Sequence, residues 1–517
     1  MRRLLCFLFS GCLALLLAGC SGGGGGEVGG TTWDFLVYMD GDNNLQPYML
    51  DSLNQLERAG STDQVNILVL FDGKTGAYAN GTILYRVTKD TGSSITSTVL
   101  QNLPEQDMSN PATLRDFIIY CQTNYPSDRT VLTLKDHGGG VWPKSAGQTP
   151  SPRGICWDDT TTGTDPWNCL TTDEVASALT QARAATGRKV DLIQMDACLM
   201  QTLEVAYEWR GQADCLVGSE EISWTDGFDY EQIVRHLLDN PGLSVKDYAV
   251  ALVDDYYQTN LDHGRDTSFS ALDLGQPLQD LFSAFQVFAA DLAGTGDTES
   301  VVSAWAGVVS FNYFELKDLA EFVSMVRTST SDITLRDSAD AIAAAIPDVV
   351  IHHHETGGLA DHAAGISITL PGNGEWWYYY AGATQYVTLA LANDSQWDEF
   401  LTAFRNYAPD TCVSISWTSG NCDLGIVEPG SGTTYWSGDT AVPLYGILTP
   451  DRTYGGSECW ALDRSSHALG SYDAYVWSED YFGKVKAYIT RDGITTESEI
   501  TVSPGQSYLI KSLSIGE

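Results

Sequence analysis

At 517 residues, 43% hydrophobic and 18% charged, the chain has room for two or three domains and the ordinary composition of a globular protein. Its 28 lysines and arginines face 67 aspartates and glutamates, a formal charge of −39, which argues against a protein built to hold phosphate backbones and so predicts no nucleic-acid partner. A carboxylate surplus of that size solvates an exported surface, and it also suits calcium or a cationic substrate.

Residues 1–19 carry Arg2 and Arg3 and then a mostly apolar run from Leu4 to Ala18, shorter than the roughly 20 apolar residues of a membrane span. The stretch Leu17-Ala18-Gly19-Cys20 resembles a bacterial lipoprotein signal, cut just before a cysteine that receives lipid. Cys20 is therefore the predicted lipidation site, and a plain cleaved signal peptide is the simpler reading. Residues 20–32, rich in glycine, read as a tether. The protein is expected in the cell envelope, anchored by lipid at the outer membrane, or secreted. Loss of Arg2 and Arg3 moves the formal charge from −39 to −41. Of the eleven cysteines, eight lie beyond the signal and anchor: Cys121, Cys156, Cys169, Cys198, Cys215, Cys412, Cys422 and Cys459. Cys156 with Cys169, and two of the last three, are candidates for disulfides, and spacing leaves the connectivity open.

In chain order, Trp33 to Asp40 reads as a buried strand, followed by a helix from near Pro47 that Gly60 stops. Val65 to Phe71 is a second strand. A polar, strand-like excursion runs through Tyr85 and Val99, and Thr113 to Tyr125 reads as a helix. Thr130 to His137 is a β-rich run ending at Gly138, Gly139 and Gly140. A loop over 142–170 leads to a helix that Thr171 and Glu174 open as a capping box. Asp191 to Asp196 is the next apolar strand, with a helix-like segment from Leu199 to Arg210. The alternation continues through Asp214–Gly218, helices near 230–238 and 245–257, a strand at 268–272, and a largely helical stretch from Leu278 to Ile346 that Pro347 closes. Gly365 to Leu370 is a late strand, and Trp397 to Tyr407 a closing helix. Strands alternating with helices predict an α/β fold with a mainly parallel sheet. After Pro409 only short alternating runs remain, the pattern of an all-β sandwich.

Two strand ends carry the chemistry. Cys198 falls where an apolar strand meets a predicted helix start, a place where unpaired N–H groups would lower a thiol pKa. His137 ends another such strand. In a doubly wound sheet, reactive groups gather at the carboxyl ends of neighbouring strands, so the two are expected to face each other across a crevice. A buried structural thiol is the plainer reading of an isolated cysteine.

The stretches VYMDGDNNL at Val37 to Leu45, DHGGGVW at Asp136 to Trp142, MDACLM at Met195 to Met200 and GSEEISWTDGFDY at Gly218 to Tyr230 resemble the clostripain family of caspase-like cysteine peptidases. The resemblance runs from about Trp33 to Tyr407. It implies a caspase-like domain over 33–408, its mainly parallel sheet flanked by helices on both faces, with the β-sandwich of 409–517 as an accessory. It further implies an endopeptidase acting through Cys198 and His137 without a required third residue. The backbone N–H groups of Cys198 and Gly138 would meet the oxyanion, and Asp196 and Asp226 would line a pocket for Arg or Lys before the cut. Substrates would be proteins or peptides with that basic residue. Asp196 could instead cap the following helix, and Asp226 could serve only a turn. The rival function is a catalytically silent surface lipoprotein that binds through its sandwich.

No cofactor is needed for this chemistry, although the resemblance implies calcium dependence for some members. Asp40, Asp42, Asn43 and Asn44 look like part of a calcium loop, but the Glu that would close an EF-hand is missing at the right spacing, and a turn is the expected reading. The metal site stays open. His352, His353, His354 and His362 invite a zinc reading that adjacent positions on a strand disfavour, and His236, His263 and His467 read as surface or satisfied histidines. Lys144 and Arg153, in the loop between the two reactive residues, are candidates for self-cleavage, as the resemblance implies. Mass spectrometry should find the wild-type chain nicked after one of them and the Cys198→Ala chain intact; an uncut wild type or an equally nicked mutant contradicts this.

Overall fold

The computed structural model describes residues 30–517 except 80, 142–153, 161–167, 262, 313–314, 373–385, 410, 418–419, 438–442, 444–445, 449–455, 463–467, 492–493 and 516–517. The signal region, Cys20, Lys144 and Arg153 lie outside the described residues. Thr31–Glu517 form one compact unit.

The strands in chain order are β1 (Trp33–Gly41), β2 (Val65–Gly73), β3 (Ile83–Arg86), β4 (Thr98–Asn102), β5 (Arg129–Lys135), β6 (Ile155–Trp157), β7 (Cys169–Leu170), β8 (Leu192–Asp196), β9 (Cys215–Ser219), β10 (Thr267–Asp273), β11 (Leu316–Asp318), β12 (Val350–Thr356) and β13 (Ser367–Thr369). Nine of them form one sheet in the order β12-β10-β9-β8-β5-β1-β2-β3-β4. The five central strands pair in parallel, and the outer ones add antiparallel edges.

Burial on both faces explains the apolar runs. Successive side chains of a strand point to opposite faces. Phe35, Val37 and Met39 of β1 pack into one layer with α1 (Gln46–Ala59), while Leu36 and Tyr38 pack into the other with α2 (Pro111–Asn124) and α3 (Thr172–Thr186). The capping box of Thr171 and Glu174 forms as expected at the start of α3. α4 (Leu203–Glu208) also joins the second layer, and α5 (Tyr230–Asp239) and α6 (Val245–Leu261) the first. The helical stretch beyond is α7 (Gln276–Gly294), α8 (Thr298–Gly307), α9 (Leu319–Ser329) and α10 (Ile333–Val349). Pro347 lies inside α10 rather than closing the region before it. The expected late strand is shorter, and β13 pairs with β11 outside the large sheet.

From residue 411 onward the described elements are strands. β14 (Thr411–Trp417), β15 (Cys422–Val427), β16 (Thr434–Trp436), β17 (Gly446–Leu448), β18 (Gly456–Leu462), β19 (Gly470–Ser478), β20 (Gly483–Arg491), β21 (Ile494–Val502) and β22 (Gln506–Ile515) form two antiparallel sheets, ordered β17-β18-β14-β20-β21 and β16-β15-β19-β22. Val413, Ile415, Trp460, Leu424 and Val476 close one core between them. Cys412, Cys459 and Ala461 pack instead into the core of the α/β layer, so the two parts share an apolar seam. Among the described residues no helix is long and apolar enough to cross a membrane.

In the large sheet, β2 lies on one side of β1 and β5 on the other, so the chain reverses its direction of travel at β1. Ligand clefts form at the carboxyl ends of strands flanking such a reversal. The tips of β1, β5 and β8 meet there, and each ends in polar sequence.

Candidate active site

Parallel pairing of β5 with β8 sets Lys135 beside Asp196, and the Asp136 N–H donates to the Asp196 carbonyl at 3.3 Å. Contact continues past the strands. A Cβ on Gly138 would stand 2.2 Å from the Cys198 carbonyl oxygen and 2.7 Å from its nitrogen, so only glycine lets this backbone lie against Cys198. His137 and Cys198 thus rise from adjacent strand tips, and both line a cavity of about 590 Å³ with Asn44, Tyr48, Ser223 and Trp224.

The imidazole is oriented from the β1 side. His137 Nε2 lies 2.9 Å from Asn44 Oδ1, and an amide oxygen only accepts, so Nε2 carries the hydrogen and Nδ1 is the basic nitrogen. Asn43 braces the same loop, its Nδ2 donating to Asp136 Oδ1 at 2.7 Å and to the Trp157 carbonyl at 2.9 Å. Burial lowers the His137 pKa, against a smaller opposing pull from Asp159, so the ring rests neutral. Asn44, read in the sequence only as part of a turn, is therefore the residue that orients the imidazole. No local signal marks it, because its partner lies on another strand.

The thiol's setting differs from expectation. The helix after Cys198 begins at Leu203, with Thr202 as its cap, and Leu199 takes a left-handed φ of 63° in the connecting turn. The sulfur is not at a helix N-terminus, so the expected dipole effect is lost. Its neighbours are the Ser223 N–H, which donates at 3.2 Å, and the Gly138 N–H. Burial outweighs these donors, with Glu221 and Asp196 adding negative charge, and the thiol is pushed up to about 12. The resting pair is thiol and neutral imidazole. Cys198 is half-buried and carries a free thiol, so it meets the condition that a nucleophile stay unpaired.

The two expected specificity acids are placed differently. Asp196 lines the cavity but is buried and ion-paired with the equally buried Lys135, and it also accepts from Tyr230 Oη at 2.8 Å. It does not cap α4. Lys135, not singled out by sequence, also faces the Tyr230 ring at 4.9 Å. Asp226 makes a two-bond pair with Arg265, at 2.8 and 3.1 Å, which lowers its pKa, and it is not among the cavity-lining residues. The Arg265 guanidinium in turn stacks over Trp224, a wall of the cavity, at 4.6 Å.

The histidine run sits away from this cavity, on β12. Strand alternation places His352 and His354 on one face, where both Nε2 atoms reach Asp254 Oδ1, at 2.8 and 3.0 Å. Alternate rather than adjacent positions converge, which the sequence reading passed over. His362 Nδ1 instead binds Glu321 Oε1 at 2.6 Å. Carboxylates also crowd below the Asn44 loop, where burial and the neighbouring charges of Glu105 and Asp158 push Asp72 up to about 8.

A cysteine and a histidine on neighbouring tips of a parallel sheet that helices cover on both faces define the class of caspase-like cysteine peptidases. The sequence profile of the clostripain family matches residues 37–404, most of the chain, and the chain belongs to that family. Clostripain of Hathewaya histolytica is 31% identical over 235 residues, 41% of this chain and 43% of that protein, so the match spans less than half of the relative's length. Two crystal structures share the fold. A secreted C11 cysteine protease from Bacteroides thetaiotaomicron, bound to an irreversible peptide inhibitor, superposes with a TM-score of 0.53 at 19% identity over 71% of this chain and 99% of that one. An inactive zymogen C11 protease from Parabacteroides distasonis gives 0.51 at 21% identity over 70% and 98%.

Two outcomes follow from the geometry. Alkylation of Cys198 by iodoacetamide should keep accelerating with pH into the alkaline range, because a thiol raised to about 12 ionises only there; a plateau near neutral pH would show a preformed thiolate. Gly138→Ala should lower kcat/KM by about a hundredfold or more, since its methyl forces the strand tip away from Cys198, and activity within a few-fold of wild type would contradict the contact.

Proposed function

We propose that this chain is an exported cysteine endopeptidase that breaks peptide bonds through Cys198, His137 and a covalent acyl-enzyme. The observation that carries the reading is the close approach of Gly138 to the Cys198 backbone, which puts imidazole and thiol at one cavity. His137 takes the thiol proton as the sulfur attacks the scissile carbonyl carbon, and then gives that proton to the departing amine as the C–N bond breaks. Water, deprotonated by the same ring, hydrolyses the thioester and restores the thiol. Because the thiol rests protonated, proton transfer belongs to the attack itself. The backbone N–H groups of Cys198 and Gly138 are the proposed oxyanion donors.

Residues 1–19 support export, and Cys20 supports a lipid anchor in the cell envelope, most simply at the outer membrane. The presence of both reactive side chains at one cavity disfavours the silent lipoprotein that would work only through its C-terminal sheets.

The family resemblance supports cleavage after Arg or Lys, with Asp196 on the cavity wall as the ion partner. A specific observation favours a second reading. Asp196 already holds Lys135 and Asp226 already holds Arg265, so a basic substrate side chain would be a second cation at carboxylates that are already paired. Leu45, Tyr48, Met49, Ile222 and Trp224 meanwhile offer apolar walls to an uncharged one. Fluorogenic peptides with Arg, Lys, Leu or Phe before the cut separate the two. Cleavage should vanish in Cys198→Ala. If the internal cation sets the preference, Lys135→Met should raise kcat/KM for Arg peptides at least about tenfold relative to Leu peptides. A wild type that already prefers Arg tenfold or more returns the basic reading. No cleavage of any peptide, together with a thiol probe that ignores Cys198, sinks the peptidase reading.

A further inference from the structure

At the far edge of the large sheet, two histidines of β12 meet a carboxylate of α6, which packs on that strand. His352 and His354 stand two positions apart on an extended strand, so their side chains leave the same face. Asp254 reaches both, its Oδ1 lying 2.8 Å from His352 Nε2 and 3.0 Å from His354 Nε2. All three ligand atoms lie within 4.8 Å of one another. His353 takes the opposite face, where its Nε2 is 3.6 Å from a Glu355 oxygen. Adjacent histidines could not converge in this way; alternate ones do.

The cluster is poorly served as an ion pair. Among the described residues no lysine or arginine pairs with Asp254, and its partners are the two imidazoles. Their ring centroids are 4.7 Å apart, so protonating both would set like charges side by side. One divalent ion between them neutralises the carboxylate and leaves both rings neutral. Tyr257, three residues along α6 from Asp254, stacks on His354 with centroids 4.3 Å apart and restricts how that ring can turn.

The donor set selects the ion. Zinc takes imidazole nitrogen at about 2.0–2.1 Å and carboxylate oxygen at about 2.0–2.2 Å in a tetrahedron, so neighbouring ligands stand about 3.3–3.5 Å apart. The two hydrogen-bonded distances are shorter by about half an ångström, which rotation of partly exposed side chains supplies. Calcium and magnesium prefer oxygen throughout and gain nothing from the histidines.

We propose that Asp254, His352 and His354 form a zinc site, with water as the fourth ligand. No redox step is involved: each neutral ring gives its Nε2 lone pair to the metal and keeps its hydrogen on Nδ1, and a protonated ring releases one proton to solvent. The ion clips the terminal strand β12 to α6. The same helix carries Tyr256, whose Oη accepts the Trp224 N–H at 3.3 Å, so the clip steadies a helix that holds one wall of the active-site cavity. None of the three ligands lines that cavity, and their role is structural.

The test is independent of catalysis. It uses the full chain without a polyhistidine tag, stripped with chelator and carrying Cys198→Ala so that the active-site thiol takes no metal. Calorimetric titration with zinc chloride should show one saturable site that excess magnesium does not abolish, and zinc should raise the melting temperature. His352→Gln and His354→Gln should each weaken binding at least about tenfold, while His353→Gln, on the other face, should leave it unchanged. The ligands are partly exposed, so these variants leave the core intact. No saturable binding up to about 0.1 mM zinc overturns the site. Binding that survives in both His352→Gln and His354→Gln, or that His353→Gln weakens equally, overturns it as well, because the metal would then lie elsewhere.

Discussion

Everything at the candidate site depends on how closely the backbone after β5 can approach the backbone after β8. Gly138 supplies that approach by having no side chain, with a hypothetical Cβ only 2.2 Å from the Cys198 carbonyl oxygen. The parallel register that aligns Lys135 with Asp196 then carries His137 and Cys198 to the same end of the sheet. The contact is steric, so it is insensitive to pH and salt. The chemistry that sits on it is not, because the half-buried thiol and imidazole are both held in their neutral forms by desolvation.

Around this contact the protein handles buried charge in two ways. Toward the cavity, carboxylates are matched by internal cations, Lys135 for Asp196 and Arg265 for Asp226, and Tyr230 and Trp224 pack against those cations. Beneath the loop after β1, carboxylates face one another with oxygens that no protein donor reaches. The first arrangement leaves Asp196, on the cavity wall, already paired with a protein cation. The second holds Asp72 well above the usual carboxylate range, near the residues that hold the imidazole.

The C-terminal sheets are packed on the α/β layer rather than hung from it. Cys412, Cys459 and Ala461 enter the larger core, and Ser416 Oγ donates to the Asn312 carbonyl at 3.4 Å. Compositional change marks where helices stop, and it carries no information on whether the strands that follow will share a core with what came before.

Legibility in the sequence follows the range of the forces involved. The alternation of strands and helices, the capping box of Thr171 and Glu174, the ends of α1 and α5 and the apolar runs of the central strands were all readable, since each depends on residues within a few positions of one another. Cys198 and His137 were also readable as residues at strand ends, where the structure places both beside one cavity. What only the tertiary structure decided were relations between strands: that Lys135 meets Asp196, that Arg265 meets Asp226, that Asn44 reaches His137, and that Asp72 and Glu105 gather at Asp42. The start of α4 at Leu203 belongs with these, because contacts from Ser223 and Glu221 hold the turn after Cys198 out of the helix. A local pattern sets which face a side chain takes, whereas its charge partner is set by strand order and register, which one-dimensional spacing does not contain.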